Sequence, residues 1–145
     1  AHIGKYGTIV HVQQDEVFEY ILSILQTAID LRDEQNTNLS SKTLKKALAY
    51  IDEHYTSENL SLGTVACEVQ VGANYLSSVF SQNMQKTFTE YISEKRMEKA
   101  KKLLKSTELP TSEIAAQVGY KDPHYFSFVF KKTQGCSPRV YRSSI

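Results

Sequence analysis

The sequence predicts an all-α protein with two helix-turn-helix units joined by a long linker helix and preceded by an N-terminal helical extension. Apolar residues recur at helical spacing along most of the 145 residues, and no alternating strand pattern occurs after residue 13. In addition, the stretch from Leu60 to Tyr91 is repeated, with changes, from Leu109 to Tyr141. Two similar helical units in one short chain indicate one role performed twice.

The repeat has a defined register. At a shift of 49 residues, Leu60, Val65, Ala66 and Val69 correspond to Leu109, Ile114, Ala115 and Val118. After one inserted residue the shift is 50, and the matching pairs are Tyr75 and Tyr125, Ser77 and Ser127, Val79 and Val129, Phe80 and Phe130, and Tyr91 and Tyr141. This register allows the two units to be compared position by position.

Residues 1–40 are predicted to be a linker or dimerisation segment. Within them, Ile3–Val12 is expected to be extended, and Asp15–Gln35 is expected to be a helix with a broad apolar stripe. That stripe needs a partner, which is the following domain, a second copy of the chain, or a preceding domain. The polar run Glu34–Ser41 is the best candidate for a linker.

The first helix-turn-helix unit is predicted at about residues 62–85. A helix starting near Ser41 precedes it, and short helices are expected over 62–69 and 73–85. Thr87 and Glu90 then have the spacing of a capping box, so a long helix is predicted over about 87–106.

The second helix-turn-helix unit is predicted at about residues 112–133. Gly119 is expected to make its turn, Asp122 to cap its second helix, and Pro123 to occupy the first position of that helix. In the first unit Gln70 stands where the glycine would be, so its turn is expected to be wider or strained. Ser137 and Pro138 should open a last short helix.

The spacer between the helix-turn-helix units is about as long as one helical turn of B-DNA. A helix over 87–106 would be roughly 30 Å long at 1.5 Å per residue, and one turn of B-DNA is about 34 Å. Such a helix would place the second helices of both units in successive major grooves of double-stranded DNA. Two contacts would then need only one polypeptide.

Charge and composition exclude several classes of protein. Residues 1–40 carry 2 basic and 6 acidic side chains, whereas residues 41–145 carry 15 basic and 10 acidic ones, so the repeated part is the basic part. No apolar run is long enough for a membrane span and no signal segment opens the chain, which favours a cytoplasmic protein. Cys67 and Cys136 are expected to be free thiols.

No catalytic motif or metal-ligand spacing is present, so neither an enzyme nor a cofactor is expected. A helical adaptor that binds only protein is the alternative to DNA binding. The salt dependence of affinity separates the two, since neutralising phosphates gives a steep slope and an adaptor gives none.

From about Ser41 to the end, the sequence resembles the DNA-binding domain of AraC/XylS-family transcription regulators. The matching residues are Arg96, Ala100, Leu103, Leu104, Ile114, Ala115, Val118, Gly119, Tyr120, Tyr125, Phe126, Phe130, Lys131, Lys132, Gly135, Ser137, Pro138, Tyr141 and Arg142. The resemblance implies an AraC-type DNA-binding domain over 41–145.

The resemblance also implies which residues read bases, namely the first exposed residues of each second helix: Asn74, Ser77 and Ser78, then His124, Ser127 and Phe128. Serine and phenylalanine cannot make the bidentate contacts by which long side chains select guanine or adenine. Base reading is therefore expected from Asn74, from His124 and from apolar contact of Phe128 with thymine methyl groups, with a share from DNA shape. Two alternatives stay open: His124 is a cap-region side chain, and Phe128 packs against the neighbouring unit.

Phosphate contacts are expected from polar and basic residues near the second helices: Ser81, Lys86, Lys121, Lys131, Lys132, Arg139 and Arg142. Arg96 is expected instead to be structural, in an internal ion pair that joins the units. The lysines of the spacer helix alternate with Glu94 and Glu98 and are interpreted as a solvated face. Tyr75, Tyr125 and Phe80 are expected in the core.

The resemblance further implies an activator that contacts RNA polymerase, and a sensing or receiver domain before this region. The sequence is accordingly expected to be a piece of a longer regulator. The acidic N-terminal helix is expected to belong either to a linker or to the contact of a homodimer through residues 15–35.

Overall fold

The computed structural model describes the backbone of residues 2–145 and the side chains of residues 15–145. Within that part of the chain there are seven helices and no strand, which confirms the all-α prediction. The helices are α1 (His2–His54), α2 (Leu62–Glu68), α3 (Ala73–Met84), α4 (Phe88–Ser106), α5 (Thr111–Val118), α6 (Pro123–Gln134) and α7 (Pro138–Ser143). No helix among them is long and apolar enough to cross a membrane.

Helix α1 corrects the prediction for the start of the chain. Ile3–Val12 is helical rather than extended, and the polar run Glu34–Ser41, the candidate linker, is helical as well. Each residue added to an existing helix gains a backbone hydrogen bond, whereas β-branched and polar residues oppose helix formation only weakly. Because Glu34–Ser41 contains neither glycine nor proline, nothing in it ends the helix.

The contacts divide the chain into two segments, an N-terminal segment (residues 1–41) and a C-terminal segment (residues 42–145). In the N-terminal segment, the side chains of residues 15–39 are all exposed. Ten of them are large and apolar: Val17, Phe18, Tyr20, Ile21, Leu22, Ile24, Leu25, Ile29, Leu31 and Leu39.

The C-terminal segment, residues 42–145, contains two hydrophobic cores, one for each helix-turn-helix unit. The first consists of the buried residues Ala47, Ile51, Val65, Ala66, Leu76, Phe80 and Ile92. The second includes Met97, Ala100, Leu104, Ile114, Ala115, Val118, Phe126 and Phe130. Helix α4 contributes Ile92 to one core and Met97 to the other, so it is a structural part of both subdomains.

The turns of the two helix-turn-helix motifs are closed in the same way. The amide of Val71 donates to the Ala66 carbonyl at 3.0 Å, and the amide of Tyr120 donates to the Ala115 carbonyl at 2.9 Å. Gln70 has φ 59° and Gly119 has φ 107°, so both are left-handed. The first turn is therefore not wider than the second, and Gln70 adopts a conformation that costs a residue with a Cβ about 1–2 kcal/mol.

Helix α4 begins at the predicted capping box. The Glu90 amide donates to the Thr87 hydroxyl, and the Thr87 amide donates to the Glu90 carboxylate at 2.8 Å. This carboxylate interaction lowers the pKa of Glu90, with the backbone hydrogen bond from Thr87 as the largest cause. The helix then continues unbroken for 19 residues, which corresponds to a length of about 28 Å.

Candidate nucleic-acid interface

Helices α3 and α6 hold the second position in their helix-turn-helix motifs, and each buries one side only. Leu76, Val79 and Phe80 of α3 are buried, as are Phe126, Val129 and Phe130 of α6. The opposite sides carry all six residues expected to read bases. Asn74, Ser78, His124 and Phe128 are exposed, and Ser77 and Ser127 are half-buried.

The two roles considered for His124, in the cap of α6 and in base contact, involve different parts of the residue. Its amide donates to the Asp122 carboxylate at 2.9 Å, which forms the cap of α6 beside Pro123 at the first helical position. Its imidazole side chain is exposed. The backbone therefore completes the cap, and the ring is left free to contact a ligand.

The tyrosines at the starts of these helices lie on the surface, not in the core. Tyr75 is 41% exposed and Tyr125 is 56% exposed, whereas Phe80 is fully buried as predicted. Phe128 is 62% exposed and stacks on Tyr125 of its own helix, with ring centroids 6.5 Å apart. Because most of its surface is exposed, Phe128 is not buried against the neighbouring helix-turn-helix unit.

Three of the expected phosphate-binding cations are well placed to bind an anion. Lys131, Lys132 and Arg139 are exposed, and no carboxylate pairs with them in the part of the chain whose side chains are described. Two of them extend from the last turns of α6, beside its outward face. Ser81 is likewise exposed on α3.

The remaining expected cations have partners inside the protein. Lys86 donates to the Glu94 carboxylate at 2.7 Å, and Lys121 lies 3.8 Å from the carboxylate of Glu58 while both side chains stay largely exposed. Arg142 is half-buried, and its Nε donates to the Leu104 carbonyl at 3.3 Å. These contacts make Arg142 in particular a link between α7 and α4.

The prediction of an internal ion pair for Arg96 is wrong, although Arg96 does join the units. Its Nε donates to the Tyr55 carbonyl at 2.7 Å and its Nη2 donates to the Ser57 carbonyl at 2.9 Å. Its guanidinium lies over the ring of Tyr120, 5.1 Å from the centroid. Burial lowers the pKa of Arg96, yet a guanidinium remains charged at every physiological pH. Backbone carbonyls and an aromatic ring thus replace the expected carboxylate.

Of the α4 lysines that were interpreted as a solvated face, Lys102 and Lys105 are exposed, whereas Lys95, Lys99 and Lys101 are half-buried. Lys95 pairs with Asp52, and this hydrogen bond raises the pKa of Lys95. Lys101 pairs with Glu98 at 2.6 Å. Lys99, Lys102 and Lys105 have no carboxylate partner among the described side chains, and the ammonium groups of Lys99 and Lys105 lie over the rings of Tyr55 and Tyr141. No cluster of potential metal ligands occurs among the described side chains.

Known proteins are similar to this chain in sequence and in fold. A family described as a helix-turn-helix domain matches residues 65–144. An uncharacterized helix-turn-helix transcriptional regulator of Escherichia coli, YijO, is 37% identical over 124 residues, which cover 84% of this chain and 44% of that protein. The arabinose operon regulatory protein of Escherichia coli is 33% identical over 100 residues, which cover 69% of this chain and 34% of that protein.

A solved structure extends the comparison to three dimensions. The C-terminal domain of AraT, a response regulator from Geobacillus stearothermophilus, superposes with a TM-score of 0.70 at 43% identity, covering 71% of this chain and 85% of that one. The present chain spans less than half the length of the two curated relatives. The matched family, the relatives and the fold together show that the chain belongs to the AraC/XylS family of transcription regulators and contains its helix-turn-helix DNA-binding domain.

Proposed function

We propose that this chain binds double-stranded DNA sequence-specifically, with α3 and α6 in successive major grooves, and thereby regulates transcription. The observation that carries this proposal is the repeated placement of exposed polar residues on two second helices joined by the unbroken α4. A helix of about 28 Å approaches the roughly 34 Å repeat of B-DNA. Family membership favours this function over a protein-only adaptor.

Base contacts are assigned to the six outward residues of the two helices: Asn74, Ser77, Ser78, His124, Ser127 and Phe128. In this set only Asn74 and His124 carry side chains with hydrogen-bonding groups long enough to select a base edge. The two serines of α3 offer short hydroxyl groups. Direct base reading is therefore expected to be concentrated at few positions in each box.

Phosphate contacts are assigned first to Lys131, Lys132 and Arg139, because these cations are exposed and have no carboxylate partner among the described side chains. Ser81 and Lys121 are added as weaker contacts. Lys86 has to release Glu94, and Arg142 has to release the Leu104 carbonyl, before either side chain binds a phosphate. Their contributions are expected to be smaller, since an existing interaction is lost.

The two units are expected to bind with unequal strength. At the shift of 50, Ser81 and Gln82 of α3 occupy the positions of Lys131 and Lys132 of α6. Two additional positive charges give the second unit the larger electrostatic attraction to the phosphate backbone. The first unit then adds selectivity more than affinity.

Residues 41–145 are proposed as the DNA-binding domain, and residues 1–40 as a linker or dimerisation segment. A homodimer through residues 15–35 would cover exposed large apolar side chains: nine of the ten named above lie in this range, and Leu39 lies beyond it. Large apolar surfaces of this kind mark protein interaction sites. Contact with RNA polymerase, and an activating effect on transcription, are proposed from the resemblance to the family.

Selection of binding sites from random duplexes tests the proposal. The 145-residue chain is expected to enrich a motif of two boxes whose centres are about 10 base pairs apart, one for each recognition helix. A motif with one box, or no enrichment, would overturn the placement of two helices in successive grooves. A reporter gene placed behind the selected site would then show activation or repression.

A further inference from the structure

Helix α6 displays two aromatic rings on its outward side, Tyr125 and Phe128, which we call the aromatic pair. Their ring centroids are 6.5 Å apart with an interplanar angle of 25°, a stacked arrangement. Tyr125 also contacts the ring of Tyr120, with centroids 6.0 Å apart. Tyr125 thus contacts two other rings, and its stacking restricts the directions that the Phe128 ring takes at the surface.

The aromatic pair distinguishes the second unit from the first. At the shift of 50, Tyr75 corresponds to Tyr125, but Ser78 stands at the position of Phe128. Both positions are exposed in both helices. The difference therefore does not follow from core packing, and it lies on the surface that the proposed function directs into the major groove.

The edges of base pairs offer one apolar group in the major groove, the C5 methyl group of thymine. A phenyl ring has no hydrogen-bond donor or acceptor with which to recognise any other feature of a base edge. Removing this ring and a methyl group from water together is favourable. We propose that the aromatic pair, and Phe128 above all, selects a C5-methylated pyrimidine in the box bound by α6; this inference rests on the proposed function.

The selection concerns the methyl group and not the base that carries it. In 5-methylcytosine the methyl group occupies the same position in the major groove as in thymine, while the neighbouring O4 acceptor is replaced by an N4 donor. A phenyl ring does not sense that replacement. Thymine and 5-methylcytosine are therefore both accepted at this position, and binding to a cytosine there depends on its methylation.

The test uses four duplexes of the selected site that differ at one base pair of the second box. The position is dT, dU, 5-methyl-dC or dC. The dT and dU duplexes differ only in the methyl group, and so do the 5-methyl-dC and dC duplexes. Affinity is expected to fall about fourfold from dT to dU and about fourfold from 5-methyl-dC to dC, as expected for about 0.8 kcal/mol per buried methyl group. Each thymine of the second box is examined in turn.

Protein variants assign the effect to the aromatic pair. Phe128→Ala is expected to bind dT and dU duplexes equally, whereas Phe128→Leu keeps part of the preference because its side chain is still apolar. Since Phe128 is largely exposed, both variants retain the core of the second subdomain. Ser78→Phe is the converse variant, because it places a phenyl ring at the position of α3 that corresponds to Phe128. It should create a preference for a methylated pyrimidine in the first box.

The outcomes separate this inference from the proposed function. Equal affinity for methylated and unmethylated duplexes at every position, or a preference that persists in Phe128→Ala, overturns the inference while DNA binding stands. A Phe128→Ala variant with unchanged DNA preference and impaired transcription would show instead that the pair docks a protein. If no duplex is selected at all, the proposed function fails and the inference fails with it.

Discussion

The guanidinium of Arg96 lies directly against Gly119. A Cβ placed on Gly119 would be 3.0 Å from both Cζ and Nε of Arg96, and 3.0 Å from the Thr56 carbonyl oxygen. The turn of the second motif is thus also the surface on which Arg96 rests while it holds the carbonyls of Tyr55 and Ser57. One missing side chain permits the junction between the two subdomains.

Gly119→Ala is therefore expected to destabilise the protein by about 2–4 kcal/mol, because left-handed strain is added to displacement of Arg96. Gly135→Ala is the matched control: Gly135 also has a positive φ of 83°, but no atom lies within 4 Å of the Cβ position. The control should lose only about 1 kcal/mol. Urea unfolding measures both, and equal losses would show that the contact with Arg96 contributes nothing.

Lys131→Ala is expected to weaken binding to all duplexes alike and to reduce the slope of log affinity against log salt by about 0.9. The reason is the loss of one neutralised phosphate. Lys101→Ala removes the same charge from α4, where Glu98 already pairs with it at 2.6 Å, and should leave the slope unchanged. Loss of discrimination at a single base pair in Lys131→Ala would argue for base contact instead.

Asn74→Ala and His124→Ala should each relax the preference at one base position, in the first and second box respectively. The expected cost on the preferred sequence is about 1–3 kcal/mol for a contact that reads a base edge. Gln117→Ala, at an exposed position of α5, serves as a control with intact preferences. Titration of duplexes with single substitutions gives the answer, and a uniform loss over all sequences would contradict base reading.

Replacing Ile21 and Leu25 together by lysine is expected to convert a homodimer into a monomer in sedimentation equilibrium. Both side chains are about half exposed in the single chain, at 48% and 54%, so the change removes apolar surface available to a partner without opening a core. The matched control replaces Glu19 and Gln26, on the polar side of the helix, by lysine and should preserve the dimer. A wild-type chain that is monomeric at high concentration would refute dimerisation through this segment.

Thr87→Ala is expected to cost about 1 kcal/mol, since the N-cap hydroxyl of α4 is lost. Glu90→Gln addresses the other half of the capping box and has a pH signature. Because hydrogen bonding in the folded state lowers the pKa of Glu90 below its ordinary value of 4.5, its stabilisation is complete above that value and is lost as the pH falls through the lowered pKa.

The free energy of unfolding of wild type and Glu90→Gln, measured in urea from neutral pH to below the ordinary pKa of glutamate, checks this sign. The difference between the two proteins should shrink in acid. Glu108→Gln changes an exposed carboxylate just beyond α4 and should leave the stability almost unaltered. A difference that is constant with pH would show that Glu90 acts without its charge.

Several features were not predictable because their signals were absent or misleading. Arg96 lies at the junction of the two subdomains, as predicted, but it donates to the backbone carbonyls of Tyr55 and Ser57. Because every residue has a backbone carbonyl, the residue types do not indicate which ones Arg96 contacts. The pairing of Lys86 with Glu94 crosses the turn before α4 and depends on the direction in which that helix leaves the cap. Tyr75 and Tyr125 match the apolar pattern, yet each lies beside the buried row of its helix.

The sequence by itself determined the repeated units, the helix boundaries near Thr87 and Pro123, and the side of each second helix that is buried. Caps, proline and apolar spacing are local features, so residues close together in the sequence are enough to predict them. Only the tertiary structure decided which cations remain free for phosphate, what Arg96 holds, and that Phe128 stands beside Tyr125 at the surface. These depend on directions and distances between elements, which residue spacing along the chain does not specify.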